Sequence, residues 1–128
     1  MTTLITCLFI ASILPFVAKV PVAYAMHQLN GYDNLQPRAQ QAKLTGFGAR
    51  ALSAHQNAFE SLIIFSPAVL LAIATKTFTD TVSLLAISHV IARVMYNLLY
   101  LVNLGLLRSI AWAVGLTCSL MIIWQCLP

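Results

Sequence analysis

Arg50-Ala51-Leu52-Ser53-Ala54-His55-Gln56-Asn57-Ala58-Phe59-Glu60 is the stretch on which the architecture of this chain turns. Arg50, Ser53, Asn57 and Glu60 follow at spacings of three, four and three, so they line one face of an α-helix. The residues after it, 62–74, are almost wholly apolar and extend the helix to a length that spans a bilayer. A charge facing hydrocarbon costs roughly 2.5 kcal/mol or more unless a partner or water receives it. The stripe must therefore face other helices or a polar cavity. Lipid is excluded as its neighbour.

The rest of the chain fits that setting. Of its 128 residues 60% are hydrophobic and only 8% are charged, against about 25% charged in a soluble domain. With a mean hydropathy of +0.87, the chain reads as an integral membrane protein of one domain, residues 1–128. The apolar run at the N-terminus has no basic region before it and no small-residue cleavage site, so a retained first span is expected. The net charge of +4 is scattered singly, which argues against nucleic acid as a partner. Cys7, Cys118 and Cys126 are odd in number and lie in apolar stretches, so they read as small buried hydrophobes. No second ligand stands at helical spacing from His27 or His89, and no metal is expected.

Four apolar segments are expected as membrane helices, at about residues 3–26, 46–75, 82–102 and 106–125. The fold class is therefore all-α, a four-helix membrane bundle. Pro15, Lys19 and Pro21 interrupt the first segment, and proline is tolerated in a membrane helix where neighbours re-satisfy the backbone. Residues 30–38 read as a loop from their Gly, Asn and Pro content. An even number of spans puts both termini on one side. Arg38, Lys43, Arg50 and Arg108 lie toward the first loop, and Lys76 lies toward the other face. The positive-inside bias makes the first loop cytoplasmic and puts the termini on the opposite side. Minimal loops and tails point to a bacterial inner membrane.

The third helix carries a second stripe: His89, Arg93, Tyr96 and Tyr100, at spacings of four, three and four, with Asn97 beside it. Two polar faces in such a bundle find each other, or the same faces in another subunit. Arg93 and Glu60 are the oppositely charged residues deep in these helices, and a pairing between them, or of Arg50 with Glu60 through a partner, would lower the cost of both. Two readings stand side by side: polar residues as interhelical glue, and polar residues as a site. His55 lies off the stripe and reads as a packing or hydrogen-bonding residue. Trp112 and Trp124 read as interface anchors.

These segments resemble the MAPEG family, membrane-associated proteins in eicosanoid and glutathione metabolism. The first match is Arg50-Ala51-x-x-Ala54-His55-x-Asn57-x-x-Glu60, close to the second-helix signature of the microsomal glutathione transferases. The second is Ala92-Arg93-x-x-Tyr96-x-x-x-Tyr100, followed after a short turn by Leu107-Arg108-Ser109. The four spans and the polar first loop with Pro37-Arg38 agree. The resemblance implies a homotrimer in the lipid bilayer, with glutathione as co-substrate bound between neighbouring subunits on the cytoplasmic side. By position it implies that Arg50, Asn57, Glu60, Arg93, Tyr96 and Tyr100 line the glutathione pocket. It makes Arg108 the catalytic residue, the cation that stabilises the glutathione thiolate. Without the resemblance, Arg108 reads as a topology signal at a helix end. The chain departs from better-known members at Ser53, where they carry a second arginine, and at Val102 and Leu107, where some have basic residues. Its pocket is less cationic than theirs.

The leading expectation is a membrane glutathione transferase or peroxidase-like protein. It would conjugate glutathione to hydrophobic electrophiles in detoxification, or reduce lipid hydroperoxides. The alternative is a non-catalytic lipid-binding or scaffold member of the same fold. A small proton-coupled exporter ranks third, because the first span holds Lys19 and no acid, and Glu60 sits in the second.

Overall fold

The computed structural model describes all of Met1–Pro128. Its helices are α1 (Thr2–His27), α2 (Pro37–Gln41), α3 (Gly46–Ala74), α4 (Asp80–Leu101) and α5 (Gly105–Gln125). All but α2 are long and apolar enough to cross a membrane, and there is no strand. At 1.5 Å per residue even α5 reaches about 31 Å, close to the hydrocarbon thickness.

Local chemistry sets the ends. Thr79 caps α4, its hydroxyl accepting from the Val82 amide at 3.1 Å, so the helix begins ahead of the expected residue 82. Both tight turns close with a left-handed residue, Lys76 (φ 57) after α3 and Asn103 (φ 63) after α4. The Thr77 amide then reaches back to the Ala72 carbonyl, and the Leu104 amide to the Leu99 carbonyl. The first loop is more ordered than its composition suggests. Pro37 starts the short α2, and the buried Gln40 side chain donates to the Met26 and Gly31 carbonyls while accepting from the Asp33 amide. Sequence periodicity had no means of finding a single helical turn held by one glutamine.

Large apolar side chains such as Phe9, Phe16, Ile63 and Leu106 point outward, where a bilayer solvates them. The inside is built from small residues. Ala51, Ala54, Ala58, Ala68 and Ala72 form the buried edge of α3, and they let the helix backbones approach closely. α1 packs most extensively on α3, and α4 on α5. The main apolar core, with Leu4, Phe65, Val69, Val82 and Ile122, fills the end of the bundle nearest the α3–α4 turn. Toward the other end, polar side chains replace it between α3, α4 and α5. That substitution creates the site.

Candidate functional site

α3 supplies Asn57 and Glu60, α4 supplies His89, Arg93, Tyr96 and Tyr100, and α5 supplies Arg108 near its start. Gly115 on α5 makes room for Arg93: a Cβ there would lie 3.1 Å from the Arg93 Cδ. Arg93 is only 2% exposed. Its Nη2 donates to the Asn57 backbone oxygen at 3.1 Å and also to the Asn57 side-chain oxygen. The Asn57 Nδ2 in turn donates to Glu60 Oε2 at 2.7 Å. The expected direct Arg93–Glu60 pair is thus replaced by a relay through Asn57. The reason is the amide itself, which accepts at one atom and donates at the other.

The string continues toward the loop end. The Arg93 guanidinium carbon sits 4.3 Å from the centre of the Tyr96 ring. Tyr96 meets Tyr100 edge to face, with centroids 5.5 Å apart. Arg108 folds back from the start of α5 onto the face of Tyr100, at 4.4 Å. Arg108, Tyr100, Tyr96, Arg93, Asn57 and Glu60 therefore form one continuous set of contacts drawn from three helices. It has a cation at one end, a carboxylate at the other and a buried arginine between them.

Arg50 stands apart from that string. Its Nε donates to the Leu101 carbonyl at 3.4 Å, which places a cation at the negative end of α4. Ser53 bonds back to the Ala49 carbonyl. The opening stripe is therefore split: Arg50 secures the end of α4, Ser53 bonds back within its own helix, and Asn57 and Glu60 join the candidate site. His55 ties α3 to α1, its Nδ1 lying 2.8 Å from the Pro15 carbonyl oxygen. Trp112, expected as an interface anchor, also borders a cavity of about 190 Å³ shared by Asn57, Glu60, His89, Arg93 and Ser119. Sequence reasoning missed Ser119 altogether, since a lone serine in an apolar helix gives no periodic signal. Lys19, Arg38, Tyr32, His55 and Gln56 border a separate hollow of about 330 Å³ on the α1 side, which the stripes did not announce. No group of three His, Cys, Asp or Glu side chains gathers into a metal site.

The family model described as the MAPEG family matches residues 3–128, essentially the whole chain. The chain belongs to the MAPEG family. Among curated proteins and solved structures, none matches it. MAPEG membership accounts for the four-helix membrane bundle. It also puts the chain among membrane proteins of eicosanoid and glutathione metabolism in general. For this MAPEG protein, the string from Arg108 to Glu60 is the candidate site.

Proposed function

We propose that this MAPEG protein is a membrane glutathione transferase, acting as a homotrimer with its first loop in the cytoplasm of a bacterial cell. The observation that carries the reading is the unbroken contact string from Arg108 through Tyr100, Tyr96, Arg93 and Asn57 to Glu60. Glutathione has two carboxylates, one ammonium and one thiol. Glu60 accepts from the ammonium, and Asn57, Tyr96 and Tyr100 supply neutral hydrogen bonds. Arg50 offers a guanidinium edge to a carboxylate through the terminal nitrogens left free by its long bond to Leu101, and Arg93, its Nη2 held by Asn57, adds positive charge from its buried place. Glu60 is exposed on the single chain, about 21 Å along α3 from Gly46 at 1.5 Å per residue. A carboxylate at that depth needs cover, which a neighbouring subunit and the bound ammonium provide.

Arg108 is the catalytic residue. An ordinary thiol has a pKa near 8.5, and a cation beside it raises the thiolate fraction at neutral pH, about tenfold for each unit by which that value falls. The thiolate attacks an apolar electrophile arriving from the bilayer. With an aryl halide the carbon–sulfur bond forms and halide leaves. With a lipid hydroperoxide, two glutathiones become the disulfide while the peroxide becomes an alcohol and water. The test is thiolate absorbance and aryl-halide conjugation by the detergent-solubilised protein, beside Arg108→Ala. Both signals in the parent and their loss in a folded variant are the expected result. A folded parent that gives neither overturns the transferase and leaves the lipid-binding member of the fold.

A further inference from the structure

The hollow on the α1 side shares no residue with the string, and it is cationic. Lys19 of α1 and Arg38 of α2 border it, with Tyr32, Gln41, His55 and Gln56 adding polar groups, in a volume of about 330 Å³. The chain has three acids, and none of them borders it. Asp33 turns a carboxylate oxygen to the Leu35 and Gln36 amides, Glu60 accepts from Asn57, and Asp80 begins α4 at the other turn. The fold places both cations. Arg38 belongs to α2, whose buried Gln40 donates to the Met26 carbonyl at 3.2 Å and to the Gly31 carbonyl at 2.7 Å, tying α2 to the end of α1. The half-buried Lys19 stands eight residues before His27, about 12 Å along α1 at 1.5 Å per residue. Its long stem lets the ammonium reach toward the first loop while the methylenes stay among apolar groups.

Toward the middle of the helices the same side of the bundle turns aromatic. His55 joins α3 to α1 through the Pro15 carbonyl, and Phe59 meets both the His55 ring, with centroids 5.4 Å apart, and the Phe16 ring, at 5.9 Å. Phe16 is 67% exposed and Phe59 44%, so this shelf points out of the chain. Cations at the loop end and an apolar shelf beneath them suit an amphiphile with an anionic head. A charge at the edge of the hydrocarbon calls for a counter-charge, and lipid phosphates lie at that level. We propose that this hollow binds the phosphate of an anionic phospholipid from the leaflet on the first-loop side. Lys19 and Arg38 take the phosphate oxygens, and the acyl chain lies along Phe16 and Phe59. A zwitterionic lipid is disfavoured, since its own ammonium would meet the same two cations. A free phosphate would leave the aromatic shelf uncovered.

The probes are dioctanoyl phosphatidylglycerol, dioctanoyl phosphatidylcholine and inorganic phosphate, titrated calorimetrically into the full chain in detergent. Phosphatidylglycerol is expected to bind about thirtyfold more tightly than phosphatidylcholine, the scale of two cations acting near a membrane surface. Lys19→Gln and Arg38→Gln are each expected to lose about fivefold. Lys43→Gln removes a loop cation that borders a different hollow, and it is expected to change nothing. Equal affinity for the two lipids overturns the proposal. So does an equal loss in Lys43→Gln and Arg38→Gln, which would mean diffuse surface charge only. Inorganic phosphate bound as tightly as phosphatidylglycerol overturns it too and gives the hollow to a soluble anion. Should Lys19→Gln not fold, Arg38→Gln against Lys43→Gln decides, because both of those side chains are exposed. Glutathione added last is expected to leave the lipid in place; displacement overturns the proposal and assigns these cations to the carboxylates of the peptide. The earlier arms contain no glutathione, so failure of thiolate chemistry and failure of lipid binding are separate results.

Discussion

Asn57 joins a buried guanidinium on α4 to a carboxylate on the open face of α3. Replacing it with leucine keeps the volume of the site while removing the acceptor for Arg93 and the donor for Glu60. Hydrogen bonds to charged groups contribute about 1.5–3 kcal/mol each, and the backbone oxygen of residue 57 still receives Arg93. Asn57→Leu is therefore expected to cost about 2 kcal/mol, read as a lowered denaturation midpoint in detergent. An unchanged midpoint would mean that Arg93 finds another partner. Both stripes were legible from their spacing, but spacing reports only which side of a helix a residue occupies. It says nothing of the height at which two helices meet, and height is what puts Asn57, and not Glu60, opposite Arg93.

At the scale of elements, the helices pack through small residues, and Gly48 marks a close approach of α3 to α1. A Cβ on Gly48 would lie 3.0 Å from the Ala25 Cβ and 2.9 Å from Leu44 Cδ2. The leucine tip can move aside, but the alanine Cβ moves only with the backbone of α1. Gly48→Ala is expected to destabilise the protein by about 1–3 kcal/mol, the usual range for overpacking. The check is a thermal midpoint beside that of Gly105→Ala, where an added Cβ meets nothing within 4 Å. Equal effects from the two would remove packing as the cause. Span limits are readable in advance because proline, asparagine and threonine act over one turn of chain. The Gln40 bonds that organise the first loop join residues up to fourteen apart, and no local rule reports them.

For the whole molecule, the distribution of positive charge leads to the orientation proposed above, with Arg38 and Lys43 in the cytoplasmic loop and Lys76 outside. Single cysteines at Gln36 and at Phe78, in a background where Cys7, Cys118 and Cys126 are alanine, test it with a membrane-impermeant maleimide on intact cells. Labelling is expected at position 78 and only after lysis at position 36. The reverse pattern would invert the topology and move the glutathione site to the outer face.

Four apolar runs, two polar stripes and the turn residues between them are properties of neighbours along the chain. They were enough to settle a four-helix membrane bundle and to point to the helices that carry the candidate site. Pairings across helices obey a different constraint, the relative height and rotation of packed cylinders. Those pairings diverted Arg50 to the end of α4, placed Asn57 between Arg93 and Glu60, and brought Ser119 and the Gly115 carbonyl to His89 from 30 and 26 residues away. Each depends on small residues letting the backbones approach, and close approach is a feature of the assembled bundle that no single helix carries in its own periodicity.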